Sequence, residues 1–148
     1  MRGGRKGGRH AAGFSLLECL FSLLIFSVGI LALVQLQARA MSQSREARYR
    51  VDASTLASQM LGEMWVSDRS ASALNARFGS AASGSGYAAW LTSVSSTLPG
   101  VTSYPPTVTV ASGGALAGST VTIQIYWKAP TEKAAAAAHR YTVTTQII

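Results

Sequence analysis

A chain of 148 residues has room for one domain and one extended element, and its formal net charge of +7 is unevenly placed. Arg2, Arg5, Lys6 and Arg9 lie in the first 13 residues without an acid; beyond them Lys+Arg falls from 13 to 9 against 6 Asp+Glu, leaving +3. The C-terminal half has no basic stripe interleaved with aromatics, which excludes a nucleic-acid reading of the charge, and the lone Cys19 excludes an intramolecular disulfide or a cysteine-built metal site.

Phe14 to Val34 reads FSLLECLFSLLIFSVGILALV, 21 residues with the single charge of Glu18. As a helix the run spans about 30 Å, the hydrocarbon thickness of a bilayer. The basic flank stays cytoplasmic, so the C-terminal part is placed on the far side of the membrane. Three readings compete for this run. An ordinary secretory signal would use Ala38-Arg39-Ala40 as its A-x-A-like cleavage site, but its apolar stretch is about 7–15 residues and this one is longer. A plain signal anchor accounts for length and orientation and leaves the acid unexplained. A carboxylate within a membrane segment costs about 2.5–3.5 kcal/mol on insertion scales, which makes Glu18 a functional residue by default, even where partial snorkelling lowers the cost.

The third reading accounts for the acid. Residues 13–18, Gly-Phe-Ser-Leu-Leu-Glu, resemble the prepilin peptidase recognition motif of type IV pilins and type II secretion pseudopilins. The resemblance implies a cut between Gly13 and Phe14 on the cytoplasmic side, N-methylation of Phe14 by the same peptidase, and retention of the apolar run. It also implies that Glu18 pairs with the N-terminal amine of a neighbouring subunit. A buried carboxylate and a buried ammonium lower each other's desolvation cost when they meet. Ser15, Ser22 and Ser27 read as membrane-helix hydroxyls bonded back to the i−4 carbonyl or to a neighbouring helix. Cys19 reads as a small hydrophobe, and Gly29 as a point of close helix approach.

Helical patterning continues from Gln35 to Trp65 without a proline and changes from apolar to amphipathic. Leu56, Met60 and Met64, with Leu61 and Trp65 beside them, form an apolar stripe of core type, and Arg48 and Asp52 are spaced to pair at i,i+4. One continuous helix of about 50 residues, some 75 Å long, is expected. Ser67 to Gly86, rich in Ser, Ala and Gly, reads as a mobile connection. Trp90, Leu91, Val94 and Leu98 then share one face of a short second helix packed on a sheet, ended by Pro99-Gly100.

Beyond it the period falls to two. Thr107–Ala111, Thr120–Lys128 and Arg140–Ile147 are expected strands, the clearest having Val121, Ile123, Ile125 and Trp127 on one face. Ser112-Gly113-Gly114 begins the first turn, and the alanine-rich stretch from Pro130 to His139 is compatible with helix or loop. The fold class is α+β: one long N-terminal helix packed on a small antiparallel sheet of about three strands, with the amphipathic half of the helix covering it. Three segments follow: a cleaved leader at 1–13, a long helix at 14–66 with its N-terminal half transmembrane, and an exported head at 67–148.

No G-x-x-x-x-G-K-[ST], G-x-S-x-G or H-E-x-x-H occurs. His10 lies in the leader, His139 reads as a surface or strand-edge residue, and Glu132 is the only acid after Asp68. No enzyme, cofactor, metal or small-molecule substrate is expected. Residues 29–38 and 57–64, with Val121–Lys128 and His139–Ile147, resemble the minor pilin family PilV, the type IV pilus modification proteins. Lacking both a C-terminal cysteine pair and a proline near the middle of the helix, the chain departs from major pilins. The resemblance implies a minor pilin that helps prime pilus assembly and enters the fibre after cleavage. Its partners would be prepilin peptidase, other minor pilins, the major pilin and the inner membrane, with the head periplasmic before it reaches the cell surface. The alternative is a minor pseudopilin of a type II secretion system.

Overall fold

Helix α1 runs from Ala11 to Trp65 in the computed structural model, which describes residues 11–113 and 118–148, with side chains from Ser15 onward. The basic stretch at 1–10 and the side chain of Phe14 lie outside the described residues. By its contacts the chain divides into two units, Met1–Ser44 and Arg45–Ile148.

In the first unit α1 is apolar around its circumference. Leu16, Leu20, Phe21, Ile25, Phe26 and Leu31 are all exposed, although successive residues of a helix point in different directions. A helix without a polar face belongs in a membrane or inside an assembly.

The second unit holds the remainder of α1, two short helices and a sheet: α2 (Ala71–Phe78), α3 (Ser85–Thr97), β1 (Thr107–Ser112), β2 (Ser119–Trp127) and β3 (His139–Ile147). The sheet is antiparallel in the order β1-β2-β3. Its register aligns Val108 with Ile123 and Ile123 with Val143. Strict alternation along β2 buries Val121, Ile123, Ile125 and Trp127 on one face. The α1 stripe of Ala53, Leu56, Ala57, Met60 and Met64 joins that face in a single core, as the sequence predicts for Leu56, Met60 and Met64; of the two residues expected beside them, Leu61 is only partly buried and Trp65 is exposed, because the helix ends there. Trp90 of α3 belongs to it too. Its Nε1 donates to the backbone carbonyl of Leu56, 2.9 Å away, in a buried bond that fixes α3 to α1.

Several expectations need correction. Ser67 to Gly86 is not simply a connection, because it contains α2, whose Leu74 and Phe78 are fully buried. A Cβ on Gly86 would lie 2.5 Å from the Phe78 ring, so the glycine permits the close approach of α3 to α2. The helix bearing Trp90 is therefore the third, and it begins at Ser85, two residues before Tyr87. Strand ends shift by a residue: β1 includes Ser112, β2 runs from Ser119 to Trp127, and β3 starts at His139. The hairpin between β1 and β2 is closed by Gly113 N–H donating to Gly118 O at 2.8 Å; Gly114 of the expected turn lies outside the described residues.

The connection from Lys128 to Ala138 is a series of turns and not a helix. Lys128 Nζ donates to the carbonyls of Ala134 and Ala136, each at 2.7 Å, and Pro130 removes one backbone donor. Alanine favours helix, but so short a span between two adjacent strands bends back before a helix can profit from that preference.

Tyr87 of α3 is buried, and its hydroxyl donates to Pro106 O at 2.8 Å. Burial pushes the phenol above its ordinary range. A folded-state value above the unfolded one gives stability that is complete below the unfolded phenol range, near pH 10, and is lost as the pH rises through the folded value. Tyr87→Phe should cost about 0.5–1.5 kcal/mol at neutral pH. It should also remove this share of the alkaline destabilisation in thermal melts of the full chain in detergent.

Candidate processing and assembly site

Gly13 and Phe14 fall in the first turn of α1, which contains no acidic residue to favour the N-terminal end of the helix dipole. Glycine costs about 1 kcal/mol relative to alanine in a helix, so the backbone is least committed to helix at the bond expected to be cut.

Glu18 lies one turn beyond Phe14 and is exposed, with exposed Leu17, Leu20 and Phe21 around it. Among the described residues no side chain of the chain pairs with it. Its carboxylate is thus a charge on an apolar cylinder, without a partner among the described residues. Ser27 Oγ donates to Leu23 O at 2.7 Å, the back-bond expected of a membrane-helix hydroxyl. Cys19 is free and exposed. A Cβ on Gly29 would meet nothing within 4 Å, so no packing inside the chain requires that glycine.

The helix is long and apolar enough to cross a membrane, and none of its most apolar stretch is covered by the chain. What this surface can do chemically is exchange lipid for other helices, with one carboxylate to set the register between them.

Sequence reasoning also passed over two features of the second unit. A cleft of about 480 Å³ is lined by Arg45, Arg48, Tyr49, Asp52, Ser96 and Thr97. The expected Arg48–Asp52 pair borders it at 3.9 Å, with Arg48 largely exposed, a geometry that contributes little stability. His139 is not a bare strand-edge residue, since it touches acids from two other elements. Nothing in the local sequence signals that contact, because Glu46, Glu132 and His139 converge only through the fold. Among the described residues no group of three or more His, Cys, Asp or Glu is arranged to hold a metal ion.

Residues 8–34 match the family model described as the prokaryotic N-terminal methylation motif. The match brackets Gly13, Phe14 and Glu18 and takes in the whole apolar run from Phe14 to Val34. No curated protein and no solved structure matches the chain. The motif indicates a type IV pilin or pseudopilin precursor, a structural subunit class processed by prepilin peptidase and assembled with other pilins. With the long apolar helix, it fits a membrane protein anchored through its N-terminal end.

Proposed function

We propose that this prepilin-type precursor is a minor pilin that helps prime type IV pilus assembly and is incorporated into the pilus after cleavage between Gly13 and Phe14. The observation that carries the reading is an apolar, exposed stretch of helix with one acid, Glu18, unpaired among the described residues and a single turn past the expected new terminus. The mature subunit waits in the inner membrane with its head in the periplasm. Assembly then draws its helix into a bundle, where neighbouring helices replace lipid around Leu16–Leu36. Glu18 registers each subunit against the amine on Phe14 of the next.

Two features favour a minor component over the main fibre subunit. Cys19 is the only cysteine, so the head has no C-terminal disulfide. The β2 and β3 sequences, Val121–Lys128 and His139–Ile147, also resemble the last strands of the PilV family.

A deletion strain tests the choice between fibre types. The expected result is few surface pili with normal protein secretion, restored by the intact gene. Normal piliation with secreted proteins trapped in the periplasm would instead make the chain a minor pseudopilin of a type II secretion system.

A further inference from the structure

The two edges of the sheet are treated differently. In the β1–β2 hairpin Gly113 N–H donates to Gly118 O, which makes that pair a hydrogen-bonded one. Bonded and non-bonded pairs alternate along an antiparallel ladder. By the register, Thr107, Thr109 and Ala111 therefore bond to β2, and Val108 turns its N–H and C=O away from it. Ser80 takes up both groups: its N–H donates to Val108 O at 3.0 Å, and its Oγ accepts from Val108 N–H at 3.2 Å. The β1 edge is thus closed at Val108 by the segment that follows α2.

The same alternation, carried across β2, sets the other edge. Val121, Ile123 and Ile125 bond towards β3, to Thr145, Val143 and Tyr141. The N–H and C=O groups of Arg140, Thr142, Thr144 and Gln146 then point outward, and none has a backbone partner among the described residues. Exposed edges are commonly blunted by proline, lysine or a covering segment. The nine residues of β3 include no proline or lysine, and their one arginine, Arg140, sits near the start. The inner face of β3 is also unfinished. Val121, Ile123, Ile125 and Trp127 of β2 are buried, whereas Tyr141 and Val143 are only partly buried against the core.

We propose that the outer edge of β3 is a strand-addition site, at which a different pilin subunit of the assembly lays an extended segment against Arg140–Gln146. The site rests on assembly with other pilins and not on the choice between a pilus and a secretion fibre. Its backbone groups ask for an extended chain, and its side chains ask for an alternating one. Apolar residues would lie beside Tyr141 and Val143, and an acid would lie opposite Arg140 on the outer face.

A copy of this chain is a poor donor. Its β1 cannot extend the sheet, because Ser80 already holds Val108. Its β3 suits no better. Glu46 of α1 meets His139 at the start of β3, and Arg69, just past the end of α1, donates to Ile148 O beyond the other end. Helix α1 and β3 therefore run the same way across the head. Antiparallel pairing of two β3 strands would oppose the two helices, whereas subunits anchored in one membrane enter it by the same end. Parallel pairing through the same edge would turn one sheet over and set Thr142 and Thr144 of the copy beside Tyr141 and Val143.

Hydrogen exchange reads the edge residue by residue. The full chain is measured in inner membranes of the cells that carry it naturally, and in membranes of a host that supplies prepilin peptidase and no other pilin. In the host, the amides of Thr142, Thr144 and Gln146 should exchange freely while those of Tyr141, Val143 and Thr145 stay protected. In the natural membranes the three outward amides should slow by about tenfold, the protection given by a backbone hydrogen bond. Thr144→Pro removes an outward N–H without touching a bond to β2. It should abolish the gain at Thr142 and Gln146 and leave Val143 and Thr145 protected, whereas Thr144→Ala should keep the gain. Outward amides that exchange freely in both membranes, or a gain that survives Thr144→Pro, would overturn the site. Equal protection in both membranes would assign the edge to a second copy and overturn the foreign donor.

Discussion

Recovered from the membranes of cells that supply prepilin peptidase, the chain should begin at Phe14 and carry one added methyl group by intact mass. The cut would remove all four leader cations and leave the apolar helix in place. Backbone energetics favour this bond over the competing one. Gly13 costs a helix about 1 kcal/mol relative to alanine, so the backbone opens more cheaply there. Ala38-Arg39-Ala40 lies in the interior of the same helix, and presenting it in extended form to a signal peptidase requires several turns to unwind first. Gly13→Val should leave essentially all of the protein as uncut precursor, because a β-branched side chain then stands at the bond to be attacked. A mature chain beginning at Met41 would establish ordinary signal cleavage and end the pilin reading. A chain that keeps its leader in the presence of active peptidase would reduce the helix to an anchor.

The parts of the fold that were legible in the sequence are those in which one period persists. The apolar run, the Leu56–Met60–Met64 stripe and the alternation of Val121, Ile123, Ile125 and Trp127 each repeat often enough to define a face, and each buries or exposes the face expected. Helix α2 offers only Leu74 and Phe78 as large apolar residues, two positions in eight, within a sequence whose serines and alanines read equally well as a linker. Its helicity is settled by tertiary packing, with Phe78 seated against Gly86, a residue whose importance lies in what it lacks. The contacts of His139 were illegible for a different reason. Glu46 and His139 are brought together by the fold of the head and have no local pattern in common, so no motif search would pair them. At the N-terminus the position was reversed. Gly13, Phe14 and Glu18 carry their meaning in spacing alone, and the structure adds mainly the observation that Glu18 is exposed and has no partner among the described residues.

That exposed acid makes the strongest prediction about assembly. Glu18→Ala should be cleaved like the parent and yet fall by about a hundredfold or more in sheared pili, since breaking a buried ion pair by removing one member costs about 3–5 kcal/mol. The sign of the membrane term makes the result interpretable. A carboxylate in a membrane segment opposes insertion by about 2.5–3.5 kcal/mol, so its removal stabilises the subunit in lipid, and a defect after cleavage cannot come from poorer insertion. Cleavage creates the complementary problem. A new amine on Phe14 would put a positive charge at the helix end that already carries the positive pole of the dipole. Burying that end among other helices would therefore require an acid, and Glu18 of the adjoining subunit is the one the apolar run carries. Glu18→Gln should fail nearly as badly as Glu18→Ala, because it keeps the shape and loses the charge. Glu18→Asp should recover part of the incorporation, limited by reach. If fibres accept Glu18→Ala as readily as the parent, the pairing role is wrong and the acid must serve a step before assembly, such as recognition by the peptidase.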